Sequence, residues 1–196
     1  MKDYGPPRLS SDFFDESQFK EISAARLLYS TMLSPGVEKL ALEFSKVFVS
    51  RGKKEAKGIR REKNPDNLLE MMKQHPDPIN HLLLKKKIIG YSKLMVPKII
   101  EELEDNKDDV FVELAVKIIY GSKIDCSSQL LEILDSIKHP YTLSLLCLLL
   151  GFNGPEESIR PVWNCYHFFK EKYPKESYDQ GPLLALYEFR ERFDVS

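Results

Sequence analysis

Residues 141–151 of this chain repeat, thirty positions later, the pattern of residues 111–121. Both stretches are apolar, both open on an aromatic residue (Phe111, Tyr141) and both close on a glycine (Gly121, Gly151). The segments before them correspond as well: Ile99-Ile100-Glu101-Glu102-Leu103 matches Leu130-Leu131-Glu132-Ile133-Leu134 at an offset of 31, one residue being lost from the second turn. Two units of about thirty residues, each reading helix, polar turn, helix, glycine, are the mark of stacked hairpins in which each unit buries its neighbour. The most hydrophobic part, residues 141–150, is then apolar on every side because it is covered on every side. The longest uncharged apolar stretch, residues 141–152, falls well short of the ~20 residues a membrane span needs.

The rest of the chain is expected to be helical too. Residues 1–16 read as an extended arm pinned by Phe13 and Phe14. A first helix follows over residues 17–33, stopped by Ser34-Pro35-Gly36. Val37, Leu40, Ala41, Phe44, Val47 and Phe48 mark a second helix by their 3.6-residue spacing. Asn64-Pro65-Asp66 opens a short helix, because proline is tolerated in a first turn, and His75-Pro76-Asp77-Pro78 ends it. Residues 79–94 form the next helix, with Lys85, Lys86 and Lys87 toward water. The first repeat then runs over residues 97–104 and 110–120, with Asp105 to Asp109 as a capping turn. A third, degenerate unit comprises a helix over 158–173 and a last one over 182–193, whose Glu188, Arg190, Glu191 and Arg192 cover the open end of the stack. The expected organisation is a single domain over 1–196, with N-terminal helices over 17–94 and repeat-like hairpins over 96–193.

The net charge of -1 conceals one uneven feature. Residues 51–63 carry seven positive and two negative charges, whereas the segments before and after are mildly acidic. A domain that grips duplex nucleic acid usually spreads basic charge over a whole face; here the charge is local. Cys126, Cys147 and Cys165 are odd in number and widely spaced, so they read as separate buried thiols in a reducing compartment. The first residues lack the apolar core of a signal peptide. A cytoplasmic location without membrane insertion is the expectation.

On these residues the second half resembles a HEAT-like α-solenoid of short repeats. Asp109-Val110 and Ala115 fit the acidic opening, valine and later small residue of such an inner helix. Phe111 stands where an arginine is common, and His139-Pro140-Tyr141 replaces the acidic opening in the second unit. The resemblance implies an all-α fold, a right-handed stack of antiparallel helical hairpins (an α–α superhelix). It also implies a concave groove that holds a protein, peptide or nucleic acid, with no chemistry or cofactor of its own.

Two sets of residues are candidate contacts. Lys53, Lys57 and Arg60 share one helical face, with Lys54 and Arg61 beside it; they suit a phosphate backbone or an acidic partner. No aromatic residue is interleaved to stack on bases. Charge runs of this kind are also common as simple solvated linkers. The second set is aromatic: Trp163, Tyr166 and Tyr173, with Phe168, Phe169 and Tyr178, would make a peptide-binding hot spot if exposed and an ordinary core if buried. His75, His81, His139 and His167 show no metal-ligand spacing. The chain holds no nucleophile elbow, P-loop or dinucleotide fingerprint, so an enzyme would have to assemble its site from scattered residues such as Glu157, Tyr166 and His167. The leading expectation is a non-catalytic binding or scaffold module for a protein or peptide, with nucleic-acid binding through residues 51–63 as the alternative.

Overall fold

In a computed structural model, residues 1–10, 12–34 and 52–194 are described. They form ten α-helices and, among the described residues, no strand. The helix expected over residues 37–48 lies outside the described residues, as does Arg51. The helices are α1 (Glu16–Leu33), α2 (Gly52–Arg61), α3 (Pro65–Lys73), α4 (Pro78–Ile89), α5 (Ser92–Leu103), α6 (Asp109–Ser122), α7 (Ser127–Leu134), α8 (Pro140–Asn153), α9 (Ile159–Lys172) and α10 (Gln180–Phe193). A 3-10 turn, Glu156–Ser158, precedes α9. Contacts divide the chain into two compact units, Met1–Tyr29 with Asp125–Ser196, and Ser30–Ile124.

In the unit Ser30–Ile124, side-chain caps start α3, α4 and α6. The Asn64 side chain accepts from the Asp66 N–H at 3.0 Å, and Asp77 accepts from the Ile79 N–H at 3.1 Å. Asp108 accepts from the N–H groups of Val110 and Phe111 at 2.9 and 3.3 Å. Each satisfies a donor that the first turn leaves without an intrahelical partner. Helix α4 packs against α2, α3, α5 and α6. Its core residues Leu84 and Ile88 are fully buried, as are Met95, Val96 and Ile99 of α5 and Val112 and Ala115 of α6.

Three local expectations are corrected in this unit. The helix expected over 79–94 ends at Ile89, and α5 begins at Ser92, so Pro97 sits inside a helix rather than at its start. Lys85 is only 7% exposed, Lys87 is half-buried and only Lys86 faces water. The Lys85 stem lies along the side of Gly121, where a Cβ would stand 3.5 Å from its Cε; a long aliphatic stem covers apolar surface well. Gly121 therefore does not close α6. The helix runs on to Ser122 and ends at Lys123 in the left-handed conformation, with φ 55°.

In the unit of Met1–Tyr29 and Asp125–Ser196, α8 is the centre. Every residue from Thr142 to Gly151 is buried, and α7, α9 and α10 all pack on it. Four of its leucines, Leu145, Leu146, Leu148 and Leu150, are fully buried, each worth about 1.5–3 kcal/mol relative to exposure. Gly151 is again inside the helix, facing Ala185 of α10. Arg192 donates from Nη1 to the Gly151 carbonyl at 2.7 Å and from Nη2 to the Gly154 carbonyl, capping the C-terminal end of α8. That residue is bonded to the fold and is not merely a solvated end cover. The arm enters α1 through a capping box: Asp15 accepts from the Ser17 and Gln18 N–H groups, and Gln18 Oε1 accepts from the Asp15 N–H. Phe14 and Leu9 are buried, and Phe13 is half-buried.

Candidate functional site

The basic segment forms a regular helix rather than a loose linker. Gly52, Ala56 and Ile59 repeat at i, i+4 and i+7 and form its buried side. Lys53, Lys57 and Arg60 repeat in the same register on the adjoining face, about 100° around the helix, and with Lys54 and Arg61 they are all exposed. Ile59 is fully buried and fixes which face turns outward.

Among the described residues, the two acids of the segment form no ion pair with this face and bond to neighbouring amides instead. Glu55 accepts from the Asp77 N–H at 3.1 Å and from Asn80 Nδ2 at 2.5 Å. Glu62 accepts from the N–H groups of Lys63 and Asn64, both at 2.8 Å, and from Asn67 Nδ2 at 3.1 Å. The bond from the Asn64 backbone, then that from Asn67, holds the Glu62 carboxyl below the usual carboxylate range. Among the described residues, Lys53, Lys54, Lys57, Arg60 and Arg61 form no salt bridge. Lys87 of α4 adds a further positive charge, its Nζ donating to the Arg60 carbonyl at 3.1 Å. Cations at this end are favoured by the partial negative charge of a helix C-terminus.

The aromatic set is placed differently from the exposed hot spot considered above. Trp163 and Tyr166 are 6% and 4% exposed, so they are packing residues and not surface ones. The cause is the arm: the Phe13 ring lies 4.9 Å from Trp163 and 5.5 Å from Tyr166. Tyr173 is half-buried and lines a polar cavity of about 200 Å³ with Glu21, Lys170 and Asp179. There Lys170 Nζ pairs with the nearly buried Asp179 carboxylate at 2.7 Å.

A further cluster escaped the sequence reading. Arg160, Asn164, His167 and Glu171 lie at i, i+4, i+7 and i+11 of α9 and form one stripe. The tip of the arm follows it. Arg160 Nη2 donates to Asp3 at 2.5 Å, the Tyr4 N–H donates to Asn164 Oδ1 at 3.1 Å, and the Tyr4 ring stacks on His167 with centroids 5.4 Å apart. Tyr4 Oη and Lys2 Nζ both donate to Glu171 Oε2, at 2.5 and 3.1 Å. The bond to Glu171 pushes the Tyr4 phenol up to about 12, and the same bond, reinforced by Lys2, holds Glu171 low. Burial depresses the His167 imidazole. The helical spacing of the stripe was readable in the sequence; its partner, more than 150 residues away, was not.

Cys126, Cys147 and Cys165 are buried and free. Burial, and then the neighbouring Cys165 thiol, push Cys147 well above its ordinary value, which leaves it a poor nucleophile. No group of three or more His, Cys, Asp or Glu side chains among the described residues is placed to hold a metal ion. Among the same residues no helix is long and apolar enough to cross a membrane. His167 and Tyr166 are ring neighbours, 5.2 Å between centroids, while Glu157 is exposed in the 3-10 turn. No family model matches the chain, and no curated protein and no solved structure matches it.

Proposed function

We propose that this protein is a non-catalytic binding module that holds an acidic segment of a protein or peptide partner on the basic face of α2. The observation that carries the reading is the unpaired state of Lys53, Lys54, Lys57, Arg60 and Arg61 among the described residues, while Glu55 and Glu62 are occupied by neighbouring amides. A solvated linker has no need of a buried apolar stripe to fix its outward face. The likeness of the α5–α6 and α7–α8 hairpins to HEAT-like repeats belongs to the same proposal, since that architecture serves binding rather than chemistry.

Nucleic acid is the second reading, because the same cations suit phosphates. Against it stand the absence of an aromatic residue from residues 51–63 and the net acidic character of the rest of the chain. Titration of the protein with a labelled Glu/Asp-rich peptide and with a generic DNA duplex, from low to physiological salt, separates them. The expected result is peptide binding that weakens with salt and drops at least tenfold in the Lys53→Glu/Lys57→Glu/Arg60→Glu variant. Tighter binding of the duplex transfers the assignment to nucleic acid, and binding of neither at low salt removes both readings.

A further inference from the structure

The tip of the arm and its base are held by different forces. Leu9 and Phe14 are packed into the core. Residues 2–4, by contrast, touch α9 through the half-buried Tyr4–His167 stack and through polar contacts whose charged side chains stay in water: Lys2, Asp3, Arg160 and Glu171 are all more than half exposed. Ion pairs of that kind contribute little net attraction, because water solvates the separated charges nearly as well. Gly5, at φ 86°, adopts a conformation that side chains disfavour, and Pro6-Pro7 follows, so the tip is set off from the base by a turn.

The fit is incomplete at His167, on which Tyr4 lies, and at its neighbour Trp163, which Phe13 covers. Trp163 Nε1 and His167 Nε2 are both buried and neither has a hydrogen-bond partner, although their rings touch, 4.3 Å between centroids. Trp163 is more than nine-tenths buried. Covering a polar nitrogen without pairing it sacrifices its hydration with no return. The arm therefore pairs Arg160, Asn164 and Glu171 but leaves the His167 nitrogen between them unpaired.

We propose that the Arg160–Asn164–His167–Glu171 stripe of α9 is a docking surface for an extended peptide segment of a partner protein, for which residues 2–4 are the resident intramolecular occupant. The chemistry of the segment follows from the groups that now hold the arm. It carries an acidic residue for Arg160, then an aromatic residue to lie on His167, with a cation beside it for Glu171. Its backbone supplies an N–H to Asn164 and, unlike the arm, a carbonyl oxygen to the His167 imidazole nitrogen. This surface is separate from the basic face of α2 and does not depend on it.

The test uses the full chain and a fluorescent peptide, Lys-Asp-Tyr-Gly-Pro-Pro. An occupant tethered to its own site competes at high effective concentration, so the wild-type protein takes the peptide weakly. Tyr4→Ala, and independently Asp3→Arg, free the stripe and raise peptide affinity at least tenfold by anisotropy. The Asp3 side chain is mostly exposed, so that variant keeps the fold should Tyr4→Ala disturb it. Adding Arg160→Glu to the Tyr4→Ala variant, where Asp3 is then repelled as well, abolishes the gain, and a peptide with lysine in place of its aspartate restores it. Equal affinity for wild type and both variants overturns the proposal. So does an Arg160→Glu effect that the swapped peptide does not reverse. If light scattering shows the freed variants pairing through exchanged arms and excluding the peptide, the occupant is a second copy of this chain and the partner peptide is wrong.

Discussion

Gly151 of α8 lies so close to Ala185 of α10 that a Cβ built on the glycine would stand 2.4 Å from the Ala185 Cα. The contact is with backbone, which cannot rotate out of the way, and Gly181 makes the reciprocal approach to the Ser144 carbonyl, 2.3 Å from its own ideal Cβ. Two glycines thus let α8 and α10 pack almost axis against axis.

Gly151→Ala is expected to destabilise the protein despite the higher helix propensity of alanine. Forcing a methyl into a close-packed contact costs about 1–3 kcal/mol, which outweighs the gain of about 1 kcal/mol from propensity. Thermal unfolding followed by far-UV circular dichroism should show Tm lowered by several degrees. An unchanged or raised Tm would mean that α8 and α10 are not packed this closely.

Gly58→Ala has the opposite sign. Gly58 is a mid-helix residue of α2, and a Cβ there meets only Met71 Cε at 4.0 Å, an ordinary contact. The substitution should stabilise by about 0.5–1 kcal/mol, since it removes only unfolded-chain freedom. The urea midpoint reads this directly, and affinity at the basic face should be unaltered. A loss of stability would show that α2 does not run unbroken through residue 58.

The histidines set an acid-side limit. Burial, then the charge of Lys117, lower the His81 imidazole against the opposing bond from its Nε2 to the Pro76 carbonyl at 3.0 Å, and burial lowers His167. Only well above pH 6.5 are both neutral in folded and unfolded chains, with no contribution to the pH dependence. As the pH falls below that, the unfolded chain takes up protons that the folded one resists, so stability declines until the folded groups titrate. The depressed carboxylates, Glu62 and Glu171 among them, lose their contribution only at lower pH, below about 4, so the two windows are distinct. Urea midpoints from pH 7.5 to 5 should fall, and the imidazole resonances of His81 and His167 should titrate below 6.5. Titration at or above that value would show that the rings are not buried.

Short-range chemistry was legible without a structure. Asn64 before Pro65 and Asp108 before Asp109-Val110 announce helix starts because a cap bonds an amide two or three residues on, whereas Asp77, expected only to end the preceding helix, also caps the next. The charged face of α2 follows from helical spacing and the burial of α8 from its uninterrupted apolar run, whereas the buried side of α2, at Gly52, Ala56 and Ile59, emerged only in the structure. The roles of Gly121 and Gly151 were misread as helix ends because a glycine near a helix terminus has two meanings, a left-handed cap or a close neighbour. Only the presence of Ile89 and Lys85 at one, and Ala185 at the other, distinguishes them.

By itself, then, the sequence determined that the chain is helical, where most helices begin, and that residues 51–63 bear a concentrated positive charge. Those properties depend on amides, side chains and charges a few residues apart. Tertiary structure decided which polar groups remain available. Glu55 is drawn from the basic face by Asn80, Trp163 and Tyr166 are covered by Phe13, and the α9 stripe is occupied by Lys2, Asp3 and Tyr4. Each pairing joins residues far apart in the chain, and local spacing carries no record of a contact that exists only after the helices have packed.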